Sequence, residues 1–153
     1  MTDSIKVCCR FRKDKEDEEL DDWEFDAGIK QIKLRDKKFN FDEVLDMNTS
    51  QEEMYEKVAF KTIEDFTNGY HGTIFAYGNS GSGKTFSIVG PDEIVDFLAK
   101  DFSQVPSDIQ KLYGVIPRAT ISIFQAISEA TAAGANATLI ATYIEIYNES
   151  ITC

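Results

Sequence analysis

Eight consecutive residues, Gly78-Asn79-Ser80-Gly81-Ser82-Gly83-Lys84-Thr85, satisfy the pattern G-x-x-x-x-G-K-S/T at every required position. The chemistry this spacing suits is the grip of a polyphosphate. Glycines let the backbone curl so that N–H groups converge on phosphate oxygens, and a helix opening at the end of the loop presents a dipole that favours the anion. Lys84 is spaced to reach the β- and γ-phosphates, and the Thr85 hydroxyl to ligate Mg²⁺. A flexible Gly/Ser turn is the competing reading, and the flanking sequence argues against it.

That loop needs a strand before it and a helix after it. Thr73-Ile74-Phe75-Ala76-Tyr77 is a short apolar run without helical periodicity and predicts a buried strand, with a helix starting inside the turn that follows. Upstream, Ile5, Val7, Cys9 and Phe11 alternate with Lys6, Cys8 and Arg10, the period of a strand with one apolar face. Ile32 and Leu34, then Phe39 and Phe41, flank Arg35-Asp36-Lys37-Lys38 as the arms of a hairpin. Ser50 and Glu53 have capping-box spacing, so a helix is predicted from Gln51 to about Asn68-Gly69. Its core stripe runs through Met54, Val58, Thr62 and Phe66, with Tyr55, Ala59 and Ile63 beside it. Pro91 and Pro106 bracket an insertion over 92–105. Pro117 suits the first turn of a helix reaching about Ala133, with Gly134 to end it, and Leu139 to Tyr147 reads as a strand broken by Asn148-Glu149-Ser150.

The chain has 153 residues, enough for one ordinary domain and no second one, and 42% hydrophobic residues including 11 Phe and 6 Tyr provide a core. Its formal charge is −11, which argues against binding nucleic acid or an anionic membrane through bulk charge. Much of that charge is local: residues 14–26 hold nine acids against the single base Lys15, the composition of a solvated loop. The sequence contains neither an apolar run of membrane-spanning length nor a secretory-signal pattern at Met1-Thr2-Asp3-Ser4-Ile5-Lys6, so the expected compartment is the cytoplasm. Adjacent Cys8 and Cys9 with a distant Cys153 have no disulfide or zinc spacing and read as buried thiols.

Beyond the loop itself, Phe75-Ala76-Tyr77-Gly78-Asn79-Ser80-Gly81-Ser82-Gly83-Lys84-Thr85 resembles the phosphate loop of kinesin motor domains, F-A-Y-G-Q-T-G-S-G-K-T, with Asn79 and Ser80 for Gln and Thr. Four other segments match in order. Ile5 to Arg12 resembles the first strand and its R-x-R-P ending, Phe39 to Val44 the F-x-F-D-x-V strand, Gly114 to Arg118 the G-I-I-P-R helix opening, and Tyr143 to Glu149 the Y-x-E-I-Y-N-E strand. The resemblance spans nearly the whole chain. It implies an α/β fold, the N-terminal portion of a kinesin-type P-loop NTPase motor domain with a central mixed sheet and flanking helices, incomplete over residues 1–153.

Carried over residue by residue, the resemblance implies ATP or ADP with Mg²⁺ at Gly78 to Thr85, with Thr85 as the protein's metal ligand. It places Arg10, Arg12, Lys13 and Phe86 on the adenine side. Lys13 stands where R-x-R-P has its proline, which removes a flat wall against the base. Phe86 fits a stacking role and a core role equally well. The family further implies microtubules as partner and the cytoskeleton as location. Its two γ-phosphate-sensing segments, N-x-x-S-S-R-S-H and D-x-x-G-x-E, do not occur in these 153 residues. The resemblance therefore leads to the expectation of nucleotide binding without turnover, since a phosphate loop alone leaves most of the phosphoryl-transfer barrier standing. Alternatives are a degenerate nucleotide- or partner-binding remnant and, less well matched, an unrelated P-loop NTPase.

Overall fold

A computed structural model describes residues 5–12, 23–26, 28–94 and 105–152. β1 (Cys8–Arg10) pairs in parallel with β5 (Glu43–Leu45), in the register Cys9 to Val44. The ladder is extended by the Phe11 amide donating to Leu45 O at 2.9 Å, and the Val7 amide is held by the Asp42 carboxylate at 2.7 Å. Val44 and Leu45 are buried, so β5 is the inner member of the pair.

A second sheet is antiparallel, with β2 (Trp23–Asp26), β3 (Gln31–Leu34) and β4 (Lys37–Asn40) in that order. The hairpin expected from the Ile32/Phe39 arms is present, turning on Arg35 with φ 52°; β4 stops at Asn40 and leaves Phe41 outside it. β2 corrects the reading of 14–26 as loop throughout. Trp23 and Phe25 alternate with acids, and both rings meet Phe11, edge-on at 6.2 Å and stacked at 4.9 Å, while Glu24 pairs with Lys33 at 2.9 Å. A count of charges hides that alternation. Residues 14–22 lie outside the described residues, as does Cys153.

The predicted helix from Gln51 is two helices, α1 (Gln51–Val58) and α2 (Phe60–Thr67), separated at Ala59 with φ −111° and ψ −34°. Ser50 Oγ accepts the Glu53 amide at 3.1 Å, but the Glu53 carboxylate takes Lys57 at 2.7 Å and not the cap amide. α2 ends in a Schellman motif: Gly69, φ 90°, donates to Phe66 O and Tyr70 to Asp65 O, both at 3.0 Å. After the phosphate-loop sequence come α3 (Lys84–Ile88), α4 (Ser107–Gln110) and α5 (Val115–Ala132). α5 begins two residues before Pro117, which its first turn tolerates because amides there have no helical acceptor. Gly134, φ 89°, closes it in the same Schellman geometry.

Leu45, Met54, Tyr55, Ala59, Val115 and Ala119 form the main core, with Val58, Ile63, Ile74 and Ile88 packed on it. A smaller cluster of Ile94, Val105 and Tyr113 anchors both ends of the 92–105 insertion, whose residues 95–104 are outside the described set. Two expected strands differ from expectation. Thr73 to Tyr77 forms no strand, and Phe75 and Tyr77 are 73% and 94% exposed, leaving Ile74 as its contact with the core. Of Leu139 to Tyr147 only β6 (Glu145–Tyr147) pairs, with β7 (Ser150–Thr152), around Asn148 and Glu149 at φ 47° and 58°. A strand needs a neighbour for its amides, and among the described residues neither Thr73–Tyr77 nor 139–144 has one. The arrangement is accordingly three separate sheets among the described residues, and not the single central mixed sheet the resemblance implies. Helices and strands mixed along one chain give an α/β architecture in the coarse sense.

Candidate functional site

The loop Gly78–Thr85 turns because three of its residues are glycine. Gly81 and Gly83 sit at φ 78° and 93°, in the left-handed region where a Cβ is strained, and a Cβ on Gly78 would come within 2.5 Å of Ser82 Oγ. The Ser82 amide donates to Asn79 O at 3.2 Å and tightens the turn. Gly83 then hands the chain to α3, whose first two residues are Lys84 and Thr85. Lys84 Nζ folds back across the loop and donates to Gly78 O at 2.9 Å and Asn79 O at 2.7 Å. Thr85 is exposed.

This donor set fits a polyphosphate with Mg²⁺. An ammonium resting on two neutral carbonyls exchanges readily for phosphate oxygen, a charged and stronger acceptor, and an exposed hydroxyl is a hard oxygen ligand. α3 has five residues, so its dipole is short and the ammonium and loop amides would carry the attraction for such a ligand.

Arg12 donates through Nη1 to Gly81 O, so one of the expected base-side arginines touches the phosphate loop itself. Arg10 is held more elaborately. Its Nη1 donates to Gln51 Oε1 at 2.8 Å and Ser87 Oγ at 2.9 Å, its Nη2 to Thr49 O at 3.4 Å, and its guanidinium lies 5.2 Å from the centre of the Phe86 ring. Burial lowers its pKa from the ordinary arginine value, yet a guanidinium starts so high that it stays charged at neutral pH. Arg10, Arg12 and Phe86 thus gather on the flank of the loop and α3, whereas Lys13 lies outside the described residues.

Sequence reasoning passed over the residues that hold α3 in place. Gln51 is 4% exposed; besides accepting from Arg10, it donates through Nε2 to Phe86 O at 2.7 Å and Leu112 O at 3.3 Å. In sequence it is only a polar residue after a helix cap, and its partners are 35 and 61 positions away. Gly114 is the second such residue. A Cβ there would stand 2.6 Å from Ile88 C and 2.7 Å from Ser87 O, and its amide donates to Val89 O at 2.9 Å. The glycine of G-V-I-P-R is therefore a close-approach residue between α3 and α5. Among the described residues no helix is long and apolar enough to cross a membrane.

An α/β chain with a G-x-x-x-x-G-K-T loop opening a helix defines the class, and the comparisons with known proteins sharpen it. The kinesin motor domain family model matches residues 4–152, and the chain belongs to that family. Over 97% of its length it is 35% identical to a kinesin heavy chain of Syncephalastrum racemosum, covering 15% of that protein. Human kinesin-like protein KIF15 is 42% identical across 75% of this chain, which spans 8% of that relative. Human centromere-associated protein E is 34% identical over 97% of the chain, a 5% share of its own length.

Proposed function

We propose that this chain is the nucleotide-gripping portion of a kinesin-like motor domain, taking ATP or ADP with Mg²⁺ at Gly78–Thr85. The observation that carries the reading is Lys84, the first residue of α3, with its ammonium already over the loop and Thr85 exposed beside it, in a chain matched to the family from end to end. When bound, Mg²⁺ would supply charge neutralisation between phosphate oxygens. The chain's own part is to wrap the phosphates with loop amides, place the Lys84 charge and offer the Thr85 hydroxyl. Arg10, Arg12, Lys13 and Phe86 form the base-proximal side of the site in this proposal. Residues 1–153 make up a single partial domain, and Phe75 and Tyr77 are faces that further strands of a central sheet would cover. The whole protein is an ATP-driven motor on microtubules, located with the cytoskeleton. These 153 residues bind nucleotide without turning it over, because the resemblance assigns γ-phosphate sensing to segments they do not contain.

Calorimetric titration with Mg-ADP and Mg-ATP tests the reading. Lys84→Ala removes a charged donor worth about 1.5 to 3 kcal/mol, so affinity should fall at least about tenfold. Equal affinity in the two proteins would place the nucleotide elsewhere.

A further inference from the structure

We propose that Gln51 is a positioning residue for the phosphate loop, acting through the far end of α3; the inference rests on the reading of Gly78–Thr85 as a nucleotide site. α3 has five residues, too few to hold a helix by its own hydrogen bonds. Its last turn is irregular: the Val89 and Gly90 amides both donate to Thr85 O, at 2.7 and 3.2 Å. With Gly90 diverted one residue early, the Phe86 carbonyl is left to Gln51 Nε2 at 2.7 Å. Gln51 thus caps α3 from another helix.

The amide of Gln51 is fully used. One Nε2 hydrogen serves Phe86 O, the other Leu112 O, and Oε1 accepts from Arg10, which in turn holds Ser87 Oγ. A single buried side chain therefore ties β1, α3 and the segment leading into α5 to the start of α1. Only an amide supplies both donors and an acceptor here; a carboxylate would face two carbonyl oxygens, and a methionine would take the side-chain donor from Phe86 O and Leu112 O and one acceptor from Arg10. Because α3 is about 7.5 Å long, a tilt at its tethered end moves Lys84 and Thr85 at the other. Gln51 touches no ligand and works by fixing where those two residues stand.

The test uses the full chain in three forms: unmodified, Gln51→Met, which keeps the volume and removes the hydrogen bonds, and Met54→Ala, a core change on the same helix that leaves the Gln51 hydrogen bonds in place. Hydrogen exchange without nucleotide is the first readout, and Mg-ADP affinity by calorimetry the second. Gln51→Met should raise exchange at the amides of residues 87–90 at least about tenfold and weaken Mg-ADP binding by about the same factor. Met54→Ala should lower the melting temperature while moving neither readout comparably. The proposal is overturned if exchange at 87–90 in Gln51→Met matches the unmodified chain, or if Met54→Ala weakens binding as much as Gln51→Met does. Should the unmodified chain bind no Mg-ADP, the site reading fails and the positioning role falls with it; faster exchange at 87–90 would then show a tether of α3 alone.

Discussion

Arg10 sits on β1 with its guanidinium satisfied by Gln51, Ser87 and Thr49 and stacked near Phe86, so its first duty is structural. Arg10→Ala strips the buried Gln51 Oε1 of its donor and should cost about 2 to 3 kcal/mol in urea unfolding. Arg10→Lys keeps the charge without the fork and should fall between the two; a loss equal to that of Ala would mean the charge adds nothing. On the same strand, burial pushes the Cys8 and Cys9 thiols above the ordinary value. A raised folded pKa favours the neutral thiol, so this contribution to stability is complete below the unfolded thiol value of about 8.5 and is lost as pH rises through the folded value. Thermal melts should show stability declining above about pH 8.5, with the decline reduced in a Cys8→Ala, Cys9→Ala double variant. Identical pH profiles for the two proteins would refute the assignment.

At the scale of elements, two glycines make different demands on the chain. Gly114 has an ordinary φ of −77° but no room for a side chain, since α3 lies 2.6 Å from where its Cβ would be. Gly134 faces open space, and its φ of 89° is the whole constraint. Gly114→Ala must push α3 off α5 and should cost about 1 to 3 kcal/mol, while Gly134→Ala should cost about 1 kcal/mol of left-handed strain. The two also separate by ligand affinity: only Gly114→Ala should weaken Mg-ADP binding, because only that contact bears on α3. Calorimetry on both variants decides it, and equal affinities would remove Gly114 from the support of the site.

Over the whole molecule, apolar residues that should be inside are outside. Tyr77 is 94% exposed, Ile140 84% and Ile146 72%, alongside Phe75 and Tyr147. Unpaired strand segments and apolar faces of this kind associate. Sedimentation velocity on the 153-residue chain should therefore show concentration-dependent association with accompanying binding of a hydrophobic dye, and a monomer that binds no dye would count against it. The same chain, at formal charge −11, should release no phosphate from ATP above background, with or without polymerised tubulin. Tubulin-stimulated release that vanishes in Lys84→Ala would overturn the binding-without-turnover reading.

What the residues alone determined was local or periodic. The phosphate-loop pattern, the Ser50 cap, the Ile32/Phe39 hairpin and the Gly69 and Gly134 helix ends are each written in a few neighbouring residues, because turn geometry and capping are decided within one turn of chain. Tertiary structure alone decided the rest. Thr73–Tyr77 has the composition of a buried strand, but whether it is one depends on neighbours its own residues do not specify. Trp23 and Phe25 become a strand by pairing with β3, and their rings meet Phe11. Gln51 shows no signal in sequence because its role lies in hydrogen bonds to β1, α3 and Leu112, and a buried amide's partners are set by the packing that brings them within 3.3 Å.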